Sequence, residues 1–227
     1  MSRKSRRSKV DTGKPLVQLP VGQLRNPFPP IEVLSPEALE AIHDGSMRIL
    51  EETGLQIVND RARALMLEHG ARIDPATGYV CMDRALVLEK IATVPAEFTL
   101  HARNPVYNSK YGGNHINFSM VASPPNASDL DHGRRSGNFE DYSRFLKLGQ
   151  TFNVIGLFSG YPVEPTDLPA HTRHLDAYLA FTTLTEKPWH CYSLGNGKVE
   201  DAIQMIKLSR QIDDETLNFH RHSDEKV

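Results

Sequence analysis

Aromatic side chains gather at three points of this 227-residue chain: Phe118, then Phe158 and Tyr161, then Trp189 and Tyr192 with His190 between them. Ring faces attract cations, quaternary ammonium groups included, by about 0.5–2 kcal/mol per contact. A histidine among them could donate a hydrogen bond or act as a general acid. Each also has a structural use: aromatics in strands commonly fill a core, and a histidine is commonly held by hydrogen bonds. Alternation along an extended chain sorts them. Phe158 and Gly160 would face one way, Ser159 and Tyr161 the other, and His190 and Tyr192 would share a face opposite Trp189, Cys191 and Ser193. Ser159, Tyr161, His190 and Tyr192 are therefore the expected inward, polar-tipped set. His190 is the catalytic candidate, and Ser159, Tyr161, Tyr192 and Phe118 are the substrate-binding candidates.

Other constellations say less. The chain holds no phosphate loop, dinucleotide fingerprint, nucleophile elbow or zinc cysteine pair. Gly195-Asn196-Gly197 ahead of a helix could hold an anion on free N–H groups, or be a plain turn. His171 and His174, three apart in a predicted helix, share a face, a spacing that can bind metal. No third ligand lies near them, so no metal is expected. Of the loop carboxylates, Glu140, Asp141 and Asp167 read as helix starts, whereas Asp129 and Asp131 have no such role. No spacing among them singles out a catalytic pair.

The elements that must position these groups read as strand then helix, three times over. The predicted strands are His115–Val121, Asn153–Tyr161 and Trp189–Leu194. They begin at an interval of about 36–38 residues and each ends in small or polar residues. Such alternation implies parallel pairing, right-handed crossovers and chemistry at the carboxyl ends of the strands. Asn138 should cap the first crossover helix, with Tyr142, Phe145, Leu146 and Phe152 as its apolar stripe. The second should span Pro169–Thr185 and bury Leu175, Tyr178, Leu179 and Leu184. The third should pack Val199, Ala202, Ile203 and Ile206. Ser123–Gly137 reads as a long polar loop.

Ahead of these units, residues 35–95 read as a small helical region. Its predicted helices are Pro36–Thr53 capped by Ser35, Arg61–His69 capped by Asn59 or Asp60, and Arg84–Ala92 capped by Asp83. A hairpin, Arg72–Asp74 with Tyr79–Met82, separates the last two. Phe98–Arg103 reads as a further strand. The expected organisation is an extended basic arm over 1–34, the helical unit over 35–95, the first part of a (β/α) barrel over 96–217 and a disordered tail over 218–227. The fold class is α/β: about three βα units of a TIM-type (β/α)8 barrel after a helical N-terminal region. A small open sheet is the other reading. A complete barrel takes roughly 250 residues.

Composition sets limits. Hydrophobic residues make up 39% and charged residues 24%, enough for a core. A net charge of −2 argues against a general nucleic-acid binder. Only the N-terminus, Arg3 to Lys14, is basic. No segment approaches the ~18 apolar residues of a membrane span. Cys81 and Cys191, far apart in sequence, read as reduced thiols of a cytoplasmic protein.

Several segments together resemble a known family: Leu34–Ile57 (LSPEALEAIHDGSMRILEETGLQI), Leu65–Met82 (LMLEHGARIDPATGYVCM), Val94–Pro105 (VPAEFTLHARNP), Gly133–Leu148 (GRRSGNFEDYSRFLKL), Pro165–Pro169 (PTDLP) and Leu184–His190 (LTEKPWH). This pattern is similar to the N-terminal half of the trimethylamine methyltransferase family, the MttB-like corrinoid-dependent methyltransferases. The resemblance implies a (β/α)8 barrel and methyl transfer from a methylated or quaternary amine, of the trimethylamine or glycine betaine type, to the Co(I) corrinoid of a separate carrier protein. It implies a corrinoid carrier and a small methylated amine as partners. It names no catalytic residue in this stretch. A homo-oligomer is compatible with this reading, as is a non-catalytic quaternary-amine-binding or assembly module made of a half barrel.

Overall fold

A computed structural model describes residues 16–192 and 194–213. The basic cluster Arg3–Lys14, Ser193 and the tail His220–Val227 lie outside the described residues. The chain divides into two compact units, Asn26–Glu97 and the remainder. In the remainder the N-terminal segment supplies a short strand, β1 (Leu24–Arg25).

Asn26–Glu97 is built on local signals. In α1 (Pro36–Arg48), Ser35 Oγ accepts the Ala38 N–H at 3.2 Å and Pro36 opens the first turn. A π-helical turn, Ile49–Thr53, extends it, and Gly54 ends it at φ +73°. A Cβ on Gly54 would lie 2.7 Å from both Cys81 Sγ and the Val80 carbonyl, so only glycine fits. Asn59, of the two expected candidates, caps α2 (Asp60–Glu68), accepting from Ala62 N–H at 2.9 Å. The hairpin pairs β2 (Arg72–Ile73) with β3 (Val80–Cys81). Asp83 stands at the start of α3 (Arg84–Ile91) without capping it. Glu51 instead accepts the Arg84 N–H at 2.7 Å.

The second unit continues through β4 (Glu97–Leu100), paired with β5 (Ser109–Gly112). The expected strand His115–Val121 is split. Its first part, β6 (His115–Ile116), pairs antiparallel with β1, and its second, β7 (Ser119–Met120), pairs parallel further on. Asn117 sits at the break, donating to the Lys110 carbonyl at 2.9 Å and accepting from Gln23 at 2.7 Å. The expected polar loop contains an antiparallel hairpin, β8 (Asn126–Asp129) with β9 (Gly133–Ser136). Asp129 organises its turn, accepting the Asp131 and His132 N–H groups at 3.0 and 2.7 Å, and Gly133 takes φ +65°.

Asn138 caps α4 (Phe139–Thr151) as expected, accepting the Asp141 N–H at 2.8 Å. Next comes β10 (Leu157–Phe158), parallel to β7 in the register Leu157↔Ser119 and Phe158↔Met120. On its other side Phe158 forms a parallel bridge with Trp189, in the connection between α5 (Arg173–Leu184) and α6 (Asn196–Arg210). The three segments thus lie side by side and parallel, β10 in the middle, with α4 and α5 as crossovers. Each regular strand is far shorter than its predicted run. The start of the expected second strand is held elsewhere, because Asn153 donates to the Leu19 carbonyl at 2.8 Å and receives Gln18 Oε1 on its N–H at 2.9 Å.

Helices cover one face of these segments. Phe158 is fully buried against Phe181 and the backbone of Gly149, and Trp189 stacks on Phe181 with ring centroids 5.1 Å apart. Tyr142, Leu146, Ala177, Tyr178 and Ala202 complete the core. Helix α5 starts four residues later than predicted, because Pro169 directs a turn closed by Thr172 and Arg173 N–H groups. Its buried face is His174, Ala177, Tyr178 and Phe181. Leu175 and Leu179, expected inside, remain 40% and 54% exposed. All sheets among the described residues are two-stranded and none closes into a barrel.

Candidate functional site

The carboxyl ends of the three parallel segments converge. Just past β7, Ser123 adopts φ +51° and donates its N–H to the Tyr161 carbonyl at 2.6 Å. The Glu164 N–H reaches the Pro124 carbonyl at 3.0 Å, so the first two strand-end loops are tied together. Tyr192 ties in the third. Its hydroxyl accepts the Tyr161 N–H at 3.0 Å and forms a hydrogen bond with Ser123 Oγ. It lies directly over Gly160, where any Cβ would collide with it.

Above this junction is a cavity of about 380 Å³. Ser123, Tyr161, Glu164 and Tyr192 come from the strand ends, Arg173, His174 and Tyr178 from α5, and Lys198 from α6. The Tyr161 ring meets Tyr192 edge-on at 4.8 Å and Tyr178 at 6.4 Å. Burial, then the neighbouring Tyr178 and Glu164, pushes the Tyr161 phenol well above its ordinary range, so it stays neutral; the residue is only 4% exposed and its ring belongs to the core under the cavity. Burial also raises Tyr178. Glu164 is paired with Arg173 at 2.6 Å, and His174 Nε2 lies 2.7 Å from Asp201 Oδ2.

The predicted site residues divide into three places. Tyr161 and Tyr192 line this cavity together. Ser159 lies on the opposite face of the segments, accepting from Ser119 Oγ at 3.1 Å and donating to the Met120 carbonyl at 2.9 Å. His190 is exposed and joins the Tyr161–Tyr192 end, its ring meeting that of Tyr192 edge-on at 6.1 Å, so the expected pairing of His190 with Tyr192 is present. Phe118 is at the other end. It is 44% exposed and lines a second cavity of about 280 Å³ at the amino ends, with Gln18–Leu24 and Asn153–Gly156. The expected common face of Ser159 and Tyr161 is not present. Regular pairing ends at Phe158 and the chain bends at Gly160, rolling the Tyr161 ring against Tyr142 (5.5 Å) and Phe181 (6.3 Å).

Ser123, Glu164, Arg173, Tyr178 and Lys198 were not singled out from sequence. The i,i+4 pair His174 and Tyr178 carried the one available signal, since such residues share a helix face. His171 precedes α5, and His174 is committed to Asp201, so the two do not form a ligand pair. Among the described residues no three His, Cys, Asp or Glu side chains converge as a metal site. Asp141 pairs with Arg135 at 2.6 Å, and Asp167 caps α4 by accepting the Phe139 N–H at 2.8 Å. Among the described residues no helix is long and apolar enough to cross a membrane.

A family model described as trimethylamine methyltransferase (MTTB) matches residues 1–220. The chain is 31% identical over 188 residues to the glycine betaine methyltransferase of Desulfitobacterium hafniense (strain Y51), a match covering 83% of this chain and 38% of that protein. It is 30% identical over 156 residues to the L-carnitine:corrinoid methyltransferase of Eubacterium limosum, covering 67% of this chain and 30% of the relative. An 84-residue stretch is 37% identical to the trimethylamine methyltransferase MttB of Desulfitobacterium hafniense (strain DSM 10664 / DCB-2), covering 37% of this chain and 17% of that protein. The chain therefore spans well under half the length of these relatives. On the family match, which runs through both units, it belongs to the trimethylamine methyltransferase family.

Proposed function

We propose that this chain supplies the amine-binding rim for transfer of a methyl group from a methylated or quaternary amine to the Co(I) corrinoid of a partner protein, in the cytoplasm. In this reading its three parallel segments are the first βα units of a TIM-type (β/α)8 barrel. The observation that carries it is the Tyr161–Tyr192 pair, locked across three adjoining strand ends in a chain of this family. Two relatives carry betaine and carnitine in their names, and one names a corrinoid.

The chemistry asks little acid–base work of the protein. A quaternary nitrogen that loses a methyl group leaves as a neutral tertiary amine, so no proton need move. The corrinoid supplies a strong nucleophile, and the chain's task is to bind, orient and exclude water. Neutral tyrosine rings attract the ammonium without hydrogen-bonding it, which leaves its methyl groups free to face outward. His190, exposed beside Tyr192, acts as a hydrogen-bonding group where the substrate meets the docked carrier, and Ser159 braces the rim through its bonds to Ser119 and the Met120 carbonyl. No group for holding the corrinoid itself is assigned to this chain.

Anaerobic incubation with glycine betaine and Co(I) cobalamin should convert the betaine to dimethylglycine, read by proton NMR, and calorimetry should detect betaine binding. The absence of both conversion and binding across a panel of methylated amines would overturn the proposal. Binding without conversion would favour the alternative of a non-catalytic quaternary-amine-binding or assembly module. That alternative draws on Trp189, which meets Phe158 on one side and has no strand paired on its other side among the described residues.

A further inference from the structure

Helix α1 wears its apolar side outward. Leu39, Ile42, Ser46 and Ile49 recur three or four residues apart along α1 and its π-helical extension, so they form one stripe. A helix of a folded unit normally turns such a stripe to the core. Here Leu39, Ile42 and Ile49 are 60%, 57% and 55% exposed. The opposite side of the helix faces its own unit instead. Met47 is the one buried residue of α1, and Asp44 pairs with Arg84 of α3 at 2.9 Å. The exposure continues upstream. Ile31 and Val33 stand out almost fully from the extended chain ahead of Ser35, and Leu34 is half exposed at the position from which a hydrophobic staple reaches Leu39.

The make-up of this face says what covers it. The stripe carries no charge. Its one polar side chain, Ser46, already donates to the Ile42 carbonyl at 2.9 Å, so covering it leaves no polar group unpaired. Gly45 lies one turn from both Ile42 and Ile49. A Cβ there would meet nothing within 4 Å, so nothing inside this chain requires a glycine that weakens the helix. Its use is the close approach of a second backbone. The six aliphatic residues from Ile31 to Ile49 expose on the order of 700 Å² between them, near the ~800 Å² per partner of a stable interface. An uncharged face also meets its own copy across a two-fold axis without opposing like charges.

We propose that α1 and the segment Ile31–Leu34 form a self-association surface, on which a second copy of this chain packs its own α1 about a two-fold axis. Ile42 and Gly45 lie at the centre of the contact. This surface is independent of the amine-binding reading above.

Analytical ultracentrifugation of the whole chain tests it. The native protein should sediment as a dimer with a Kd in the micromolar range or below, roughly the range open to an interface of this size. Ile42→Glu places a charge at the centre and should weaken the dimer by about a hundredfold or more. Gly45→Leu should weaken it by about tenfold, although the same change favours an isolated helix. Leu208→Glu, which alters an exposed leucine of α6, should leave the dimer intact. A native chain that stays monomeric overturns the proposal, as does a dimer that Ile42→Glu and Gly45→Leu leave equally tight while circular dichroism stays native. A monomer that floats with phosphatidylcholine vesicles also overturns it, by assigning the face to a membrane surface.

Discussion

The two cavities of the βα unit lie at opposite ends of the same short segments and are built from different chemistry. The amino-end cavity is closed by Gln18–Leu24 and lined by aliphatic side chains, amides, Tyr107 and Phe118, without one charged residue. Its polar groups are spent on the backbone, as where Gln18 Nε2 donates to the Thr151 carbonyl at 3.0 Å. The carboxyl-end cavity brings Glu164, Arg173, His174 and Lys198 together with three tyrosines and leaves buried polar atoms unsatisfied. One end is finished as structure, whereas the other holds capacity in reserve. Parallel α/β units place function at the carboxyl end because loops and helix starts converge there, while the opposite end serves stability.

Breaking the shared core should erase the contrast. Phe158→Ala removes a fully buried ring between the two ends and should cost about 3–5 kcal/mol in urea unfolding, with amine binding lost alongside. Gly160→Ala should act on one end only. The new methyl group meets the Tyr192 hydroxyl, so about 1–3 kcal/mol of overpacking strain is expected, together with a tenfold or larger loss of amine affinity by calorimetry. Gln18→Ala is its counterpart at the amino end. It should cost about 1–2 kcal/mol through its lost backbone bonds and leave amine affinity unchanged. Altered amine binding in Gln18→Ala would show that the two ends are not separate.

An effect of another kind, on the pH dependence of stability, is expected from Lys187, buried beneath α4. Its ammonium donates to the Gly149 and Phe152 carbonyls, both at 2.7 Å, and burial pulls its pKa down to about 8. From about pH 8 to the unfolded value near 10.4, the unfolded chain holds a proton that the native chain has released. Stability should therefore rise with pH across that window. Lys187→Met should remove this slope in urea titrations at several pH values, and a slope that persists would assign it to another group.

Much of the local structure is legible in the residues themselves. Ser35-Pro36, Asn59 and Asn138 start their helices where they stand, because a cap needs only its own next turn. Parallel order at Ser119, Leu157 and Trp189 follows from strand–helix alternation. The hairpin inside Ser123–Gly137 is hidden because Ala127 is its one buried residue, so it shows no apolar alternation. The split at Asn117 is equally silent, since it depends on partners at Gln23 and Lys110, distant in the chain.

The sequence by itself determined where the side-chain-capped helices begin, that strands and helices alternate, which family pattern is present, and that tyrosines stand near the strand ends. The tertiary structure alone decided which way those tyrosines face. Alternation holds only while a strand is paired, and pairing stops at Phe158, so the bend at Gly160 and the hydroxyl of Tyr192 set the orientation of Tyr161. It alone decided, too, that His174 meets Asp201 and that Lys198 lines the same cavity, because side chains this far apart in the chain share a site only when two helices pack.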